Sequence, residues 1–295
     1  MRAWLEKAVG IWRESVPVDE ERTFRLGSGR LTFRGEAPDP ARPWILCLGG
    51  SESRGRGGVV PWPLLLARES GLQVVNLAYP NAGLDLVLRD PERLALCRPA
   101  RALIIQITGA HLLSNRFYRV HPWRNDRFLD ASAALRKLYA EVDFTEFAFV
   151  RHMLQRLHAV DPQRFRVVAD ELSAAWLARM RQLMAEATGP VFGFWFAPLA
   201  PPGKPARLMA PDDGTSPLFV DRARLALLAS EGLKLVELAW GRSSPADTAF
   251  PFPSRATGRK RWPDQADQDR AASVLLDMLA ETGVVAPGKS RGAAR

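Results

Sequence analysis

Cysteine is scarce: the two thiols in 295 residues are Cys47, inside an apolar run, and Cys97, just before Arg98-Pro99. Two cysteines exclude a disulfide framework and a thiolate metal knuckle, and both read as small core residues. Histidine is scarce too, and none of the four lies beyond His158, so the C-terminal part of the chain has no imidazole base to offer. No apolar run approaches the ~20 residues needed to cross a bilayer, and a membrane is not an expected partner. The opening MRAWLEKAVGIWRESV carries Glu6 and Lys7 inside any would-be apolar core and lacks a secretory h-region, so the cytoplasm is the expected location. Concentrated charge is also missing. The net charge of +9 comes from arginines spread along the chain beside much alanine, as in a GC-rich genome. Without a basic run or a basic-aromatic reading motif, nucleic acid is not an expected partner. No internal repeat is visible.

What is present is a succession of short, continuous apolar runs at 44–48, 73–77, 102–108, 190–197 and 233–238. Unbroken apolarity suits strands buried on both faces, hence a parallel sheet covered by helices. Helical patterning spans 131–141, 146–159, 161–186, 219–231 and 267–282. The expected fold is therefore α/β, a three-layer α/β/α sandwich around a five-stranded parallel sheet in flavodoxin-like order, with a helical insertion after strand three. Residues 1–43 form a lead-in: an amphipathic helix over 2–14, then a hairpin around Gly27-Ser28-Gly29. The main domain spans 44–284 with the insertion at 115–186, and 285–295 is an expected disordered tail. Residues 198–217 and 241–264, rich in breakers, are expected loops after strands, at the edge of the sheet where ligands bind in open α/β folds.

Gly49-Gly50-Ser51-Glu52-Ser53 follows directly on Trp44-Ile45-Leu46-Cys47-Leu48. A serine on a glycine-rich turn after a buried strand has three readings: a helix cap, a nucleophile held for a base and oxyanion donors, or a ligand contact. Glu52 reads as a first-turn carboxylate favoured by the helix dipole. SNRFYRVHPWRNDRF, at 114–128, is the densest polar-aromatic segment. Either Arg116, Arg124 and Arg127, with Asn125, clamp an anionic group, or the arginines pair with Asp126, Asp130 and Asp143. Gly55-x-Gly57-Gly58 lacks the ending of a phosphate loop, and Asp212-Asp213-Gly214 lacks the spacing of a calcium loop and reads as a solvated turn. No metal or cofactor is expected.

The strand-Gly-x-Ser turn, the following Pro61-Trp62-Pro63-Leu64-Leu65-Leu66 and the Asn81-Ala82-Gly83 stretch after strand two resemble the opening of the SGNH (GDSL-like) hydrolases. Thr108-Gly109-Ala110-His111 stands where that superfamily has Gly-x-Asn-Asp, and the proline-rich exit after Trp195-Phe196-Ala197 is similar too. The resemblance implies Ser51 as nucleophile, with Ser51, Asn81, Gly83 and His111 around the oxyanion. It departs at the base. Where the superfamily has Asp-x-x-His-Pro, this chain has Arg259-Lys260-Arg261-Trp262-Pro263, and neither Arg259 nor Trp262 can take a proton from serine at neutral pH. His121 and His152 remain as displaced bases, while His158 reads as a surface helix residue. The GGSE turn, Asn-Ala-Gly-x-Asp at 81–85, SNRFYRVHPWRNDRF, DFTEFAFVRHML at 143–154 and ELSAAWLARM at 171–180 resemble a second, more specific family, a domain of unknown function associated with alphaproteobacteria. Two functions are expected from these resemblances. One is a serine esterase or acyltransferase acting on an ester of a carbohydrate or anionic small molecule. The other is a non-catalytic relative binding a small anionic ligand or a protein partner.

Overall fold

The computed structural model describes residues 22–27, 29–56, 58–211, 217–241 and 262–286. The expected N-terminal helix over 2–14, the turn at Asp212-Asp213-Gly214, Arg259, most of the 241–264 loop and most of the 285–295 tail lie outside these residues. In chain order the strands are β1 (Thr23–Phe24), β2 (Phe33–Arg34), β3 (Trp44–Leu48), β4 (Gln73–Asn76), β5 (Ala102–Gln106), β6 (Tyr118–Val120), β7 (Phe128–Ala131), β8 (Val191–Ala197) and β9 (Lys234–Ala239). The helices are α1 (Ser51–Arg54), α2 (Trp62–Ser70), α3 (Asp85–Leu88), α4 (Pro91–Ala95), α5 (Ala133–Leu138), α6 (Val150–Val160), α7 (Pro162–Glu186), α8 (Arg222–Ser230) and α9 (Gln265–Glu281).

Five strands make one sheet in the order β4-β3-β5-β8-β9, with every neighbouring pair parallel. This is the flavodoxin-like order, and its switch point lies between β3 and β5. Successive side chains on a strand face opposite sides, so each apolar run feeds two cores. From β3, Leu46 and Leu48 join the layer of α7 and α8, while Ile45 and Cys47 join the layer of α2 and α9. From β8, Phe192, Phe194 and Phe196 fill the second layer and Trp195 the first. Both cysteines are fully buried and free, and burial pushes the Cys97 thiol up to about 12, so neither supplies a thiolate at neutral pH. Among the described residues no helix is long and apolar enough to cross a membrane.

Local chemistry starts the longest helices. Asp161 accepts from Gln163 N and Arg164 N ahead of Pro162 to open α7, and Asp264 with Asp267 forms a reciprocal capping box on α9. The stretch 115–186 departs from the expectation in one respect. It opens on an antiparallel hairpin, β6 with β7, because Tyr118 and Val120 alternate with exposed Arg119 and face buried Phe128 and Ala131. The helix expected over 131–141 is correspondingly shorter, with Ser132 capping α5 at Leu135 N.

Asp85 ties three parts of the first layer together. Its carboxylate is 1% exposed, accepts from Ser114 N at 2.9 Å, and pairs with Arg89 Nε at 2.9 Å and Arg179 Nε at 3.3 Å. Replacing it strands a buried N–H and removes two ion pairs. Asp85→Ala is expected to cost about 2–4 kcal/mol in a denaturant unfolding series; a loss within ~0.5 kcal/mol would show that the carboxylate does not bind these segments together.

Candidate functional site

The carboxyl ends of β3 and β5 open into a cleft of about 440 Å³. The first wall is the turn after β3. Gln106, the last residue of β5 and 3% exposed, reaches across the switch point: its Oε1 accepts from Gly50 N at 2.9 Å and Ser53 Oγ at 2.6 Å, and its Nε2 donates to Glu52 Oε2 at 3.1 Å. Trp62 Nε1 adds a bond to Ser53 Oγ at 3.0 Å. Thus Gly50, Glu52 and Ser53, on either side of Ser51, are held, and Ser51 lines the cleft.

Gly50, not Ser51, is the N-cap of α1, and no side chain caps that helix end. The Ser51 hydroxyl therefore does not serve as a cap. It accepts from Asn81 N at 3.2 Å, its one side-chain hydrogen bond among the described residues. The Ser51 N–H lies in the first turn of α1, where helix donors lack intrahelical partners. Asn81 adopts φ +57°, a left-handed conformation that asparagine tolerates better than most residues, and its Nδ2 donates to Asp126 Oδ2 at 3.3 Å.

Five chain segments thus converge. Ser51, Asn81, His111, Asp126 and His152 all line the cleft, as do Glu52 and Thr108. His152 stands exposed on the first turn of α6, its ring edge-on to Phe147 at 5.2 Å. Trp240, after β9, and Trp262, ahead of α9, complete the wall. Trp262 is the residue that the SGNH resemblance sets at the base position, and it stands in the cleft with Arg56 over its ring at 4.3 Å.

Other expected site residues lie elsewhere. Gly83 is off the cleft wall, and its N–H is committed to buried Asn125 Oδ1 at 2.6 Å. The backbone of Leu112 packs where a Gly83 Cβ would stand, which explains the glycine. Asn125 is wholly buried and also donates to His121 O, so it clamps two loops rather than contacting the cleft. His121 does not line the cleft; its Nδ1 accepts from Trp123 N and Arg124 N, which turns the ring into a loop lock. The three arginines do not line it either. Arg116 pairs with Glu171 at 3.1 Å, Arg124 with Asp126 at 3.6 Å, and Arg127 lies over the Phe149 ring at 4.2 Å. Of the alternatives for this segment, ion pairing accounts for Arg116 and Arg124, while Asp130 takes Arg119 and Arg136 and Asp143 caps Thr145 instead. The arginine that does reach the cleft is Arg151, whose Nη1 donates to Pro211 O at 2.9 Å. Among the described residues no group of histidine, cysteine or carboxylate side chains is placed to hold a metal ion.

A family model described as a domain of unknown function, DUF6473, matches residues 14–283. The chain belongs to that family. No curated protein matches it. Among solved structures it is similar to a family two carbohydrate esterase from Clostridium thermocellum, determined with cellohexaose, at 13% identity over 86% of this chain and 69% of that one, with a TM-score of 0.40. It is also similar to a salicylyl-acyltransferase of a tetracycline biosynthetic pathway, at 13% identity over 89% of this chain, with a TM-score of 0.38; it spans 61% of that enzyme's length. An extracellular lipase from Streptomyces rimosus aligns at 13% identity over 80% of this chain and 99% of that one, with a TM-score of 0.42.

Gln106 was not singled out from the sequence, although a lone polar residue closing Ala102-Leu103-Ile104-Ile105 is the visible signal. Gln106→Leu leaves Gly50 N and Ser53 Oγ short of an acceptor in a buried site, and is expected to cost about 2–4 kcal/mol in chemical denaturation. Wild-type stability in this variant would show that the turn holds itself.

Proposed function

We propose that the cleft is an acyl-transfer site, hydrolysing or transferring an ester, with Ser51 Oγ as nucleophile and His152 as base. The observation that carries this reading is the meeting of a turn-fixed serine, two imidazoles and two carboxylates in one cavity at the switch point of the sheet. In the proposed step His152 takes the Ser51 hydroxyl proton as Oγ attacks the acyl carbon, and the carbonyl oxygen becomes an oxyanion. The Ser51 N–H and the His111 side chain are the donors offered to it. The His152 proton then passes to the leaving alcohol as the carbon–oxygen bond to it breaks. Asn81 holds Oγ through its backbone N–H, and Asp126 holds Asn81 through the amide.

A second reading is favoured by a specific observation. Ser51 Oγ has no imidazole or carboxylate hydrogen-bonded to it among the described residues, and an indole, Trp262, lines the wall where the resemblance sets the base. A cleft so arranged binds a ligand without turning it over, although catalytic hydrogen bonds often tighten only once substrate is present.

The two readings differ in serine reactivity. A fluorophosphonate probe is expected to label wild type and not Ser51→Ala. His152→Ala is expected to lower the esterase rate on a p-nitrophenyl ester by about 10²-fold or more, with His121→Ala leaving the rate per folded molecule nearly unchanged. Wild type that resists the probe, or an unaltered rate in His152→Ala, would remove the acyl-transfer reading and leave the binding one.

A further inference from the structure

The helix that carries Ser51 is a single turn, α1, closed by hydrogen bonds from Arg54 N to Gly50 O and from Gly55 N to Ser51 O, each at 3.1 Å. One turn is too short to hold itself, because ordering it costs more conformational entropy than its few bonds return. Its last carbonyls also lie past the end of the turn, where helices leave acceptors unmet. Side chains from three distant elements take them. Gln268 Nε2 of α9 donates to Glu52 O at 3.1 Å, Asn76 Nδ2 of β4 to Ser53 O at 3.2 Å, and Arg34 Nη1 of β2 to Arg54 O at 3.4 Å. Gln268, 1% exposed, uses the other end of its amide as well: Oε1 accepts at 2.8 Å from Trp62 N, the first N–H of α2. One amide thus closes the end of α1 and the start of α2. The helix it stands on is fixed by the Asp264–Asp267 capping box, and Trp262 lines the cleft just ahead of that cap.

We infer that Gln268 is a positioning residue for Ser51, holding the serine turn from the C-terminal part of the chain and fixing it against the wall that bears Trp262. The inference rests on Ser51 being the nucleophile proposed above. The place calls for a side-chain amide: an ionised glutamate only accepts and a lysine only donates, so neither serves both a helix-end carbonyl and a helix-start N–H. Of the three side chains bound to the α1 carbonyls, Gln268 is the one that joins the turn to the Trp262 side of the cleft. Asn76 spends its Oδ1 on Ala78 N within the loop after β4, and Arg34 divides Nη1 between Arg54 O and Val59 O. A loosened α1 shifts Ser51 Oγ relative to Asn81 N and to the base, and a misplacement of about 1 Å is enough to cost on the order of 10²-fold in rate.

The test compares the full chain with Gln268→Met and Gln265→Met. Gln265 stands on the same helix and bonds Val60 N at 2.9 Å and Val60 O at 3.3 Å, so it ties α9 to the segment before α2 without a bond to α1. Two quantities are read well below the melting transition of every variant: the rate of fluorophosphonate labelling per folded molecule, and amide hydrogen exchange across residues 51–55. Gln268→Met is expected to slow labelling about tenfold or more and to speed that exchange, while Gln265→Met keeps the labelling rate within about twofold of wild type. Gln268→Glu, read in mildly alkaline buffer, keeps an acceptor for Trp62 N but loses the donor to Glu52 O; it is expected to give the same loss, and it stands in if Gln268→Met does not fold. The inference is overturned if Gln268→Met labels as fast as wild type, if exchange across α1 is unchanged in it, or if Gln265→Met gives an equal loss. If wild type itself resists the probe, the nucleophile reading falls and exchange decides whether Gln268 holds the turn: faster exchange in Gln268→Met than in Gln265→Met keeps it as the tie, and equal exchange removes it.

Discussion

The side-chain amide of Gln106 is the tie on which the geometry of the cleft depends. It sits at the end of the central strand β5, where the sheet switches direction, and bonds the N–H of Gly50, the hydroxyl of Ser53 and the carboxylate of Glu52. On the β4 side the backbone ladder runs on into the loop, where Tyr79 N donates to Gly49 O at 3.1 Å, whereas on the β5 side Gln106 makes the tie. What holds the loop after β3 against β5 is a side chain. Its bonds to Gly50 and Ser53 are buried and act away from water, where an unmade bond is most costly. Gly49 is compatible with it for a steric reason: a Cβ there would stand 2.6 Å from Gln106 Oε1.

The second determinant is the insertion between β5 and β8. Its hairpin and α6 carry Asp126 and His152 to a cleft whose other wall comes from the core sheet. Val150 N donates to Asp126 O at 2.9 Å, and Phe149 bridges Arg127, so the turn of the hairpin is tied to the start of α6. Asn125 then ties the hairpin turn to the loop after β4 by accepting from Gly83 N. Site residues that look scattered along the chain are thus connected by backbone-directed bonds. The chain Asp126 to Asn81 to Ser51 is the part of this network that reaches the serine hydroxyl.

This arrangement also explains why the arginines of the charged segment at 114–128 do not line the cleft. Arginines on a two-stranded hairpin over a helical layer meet nearby carboxylates and ring faces first, and Arg116, Arg119 and Arg124 find Glu171, Asp130 and Asp126. The buried members of the segment, Asn125 and Tyr118, do the structural work. Tyr118 donates to His111 O at 2.9 Å and so helps to position the segment leaving β5, while its burial raises the phenol far above its ordinary range.

Continuous apolar runs determined the sheet by themselves. A run such as Trp44-Ile45-Leu46-Cys47-Leu48 has only one way to bury both of its faces, and the helix-length connections between such runs made the strands parallel. The same local signal placed Ser51 at a strand-to-helix turn. The sequence also exposed the missing base, since an imidazole that is absent beyond His158 needs no structure to notice. Which polar groups meet was decided only by the tertiary structure. His121 and His152 look alike as candidates, yet one ring is locked by two backbone N–H groups and the other stands in the cleft. Gly83 and Asn81 sit two residues apart, and packing against Leu112 turned one away while a left-handed backbone turned the other toward Ser51. Burial patterns are periodic and written along the chain, whereas a hydrogen bond between residues dozens of positions apart depends on where independent segments dock.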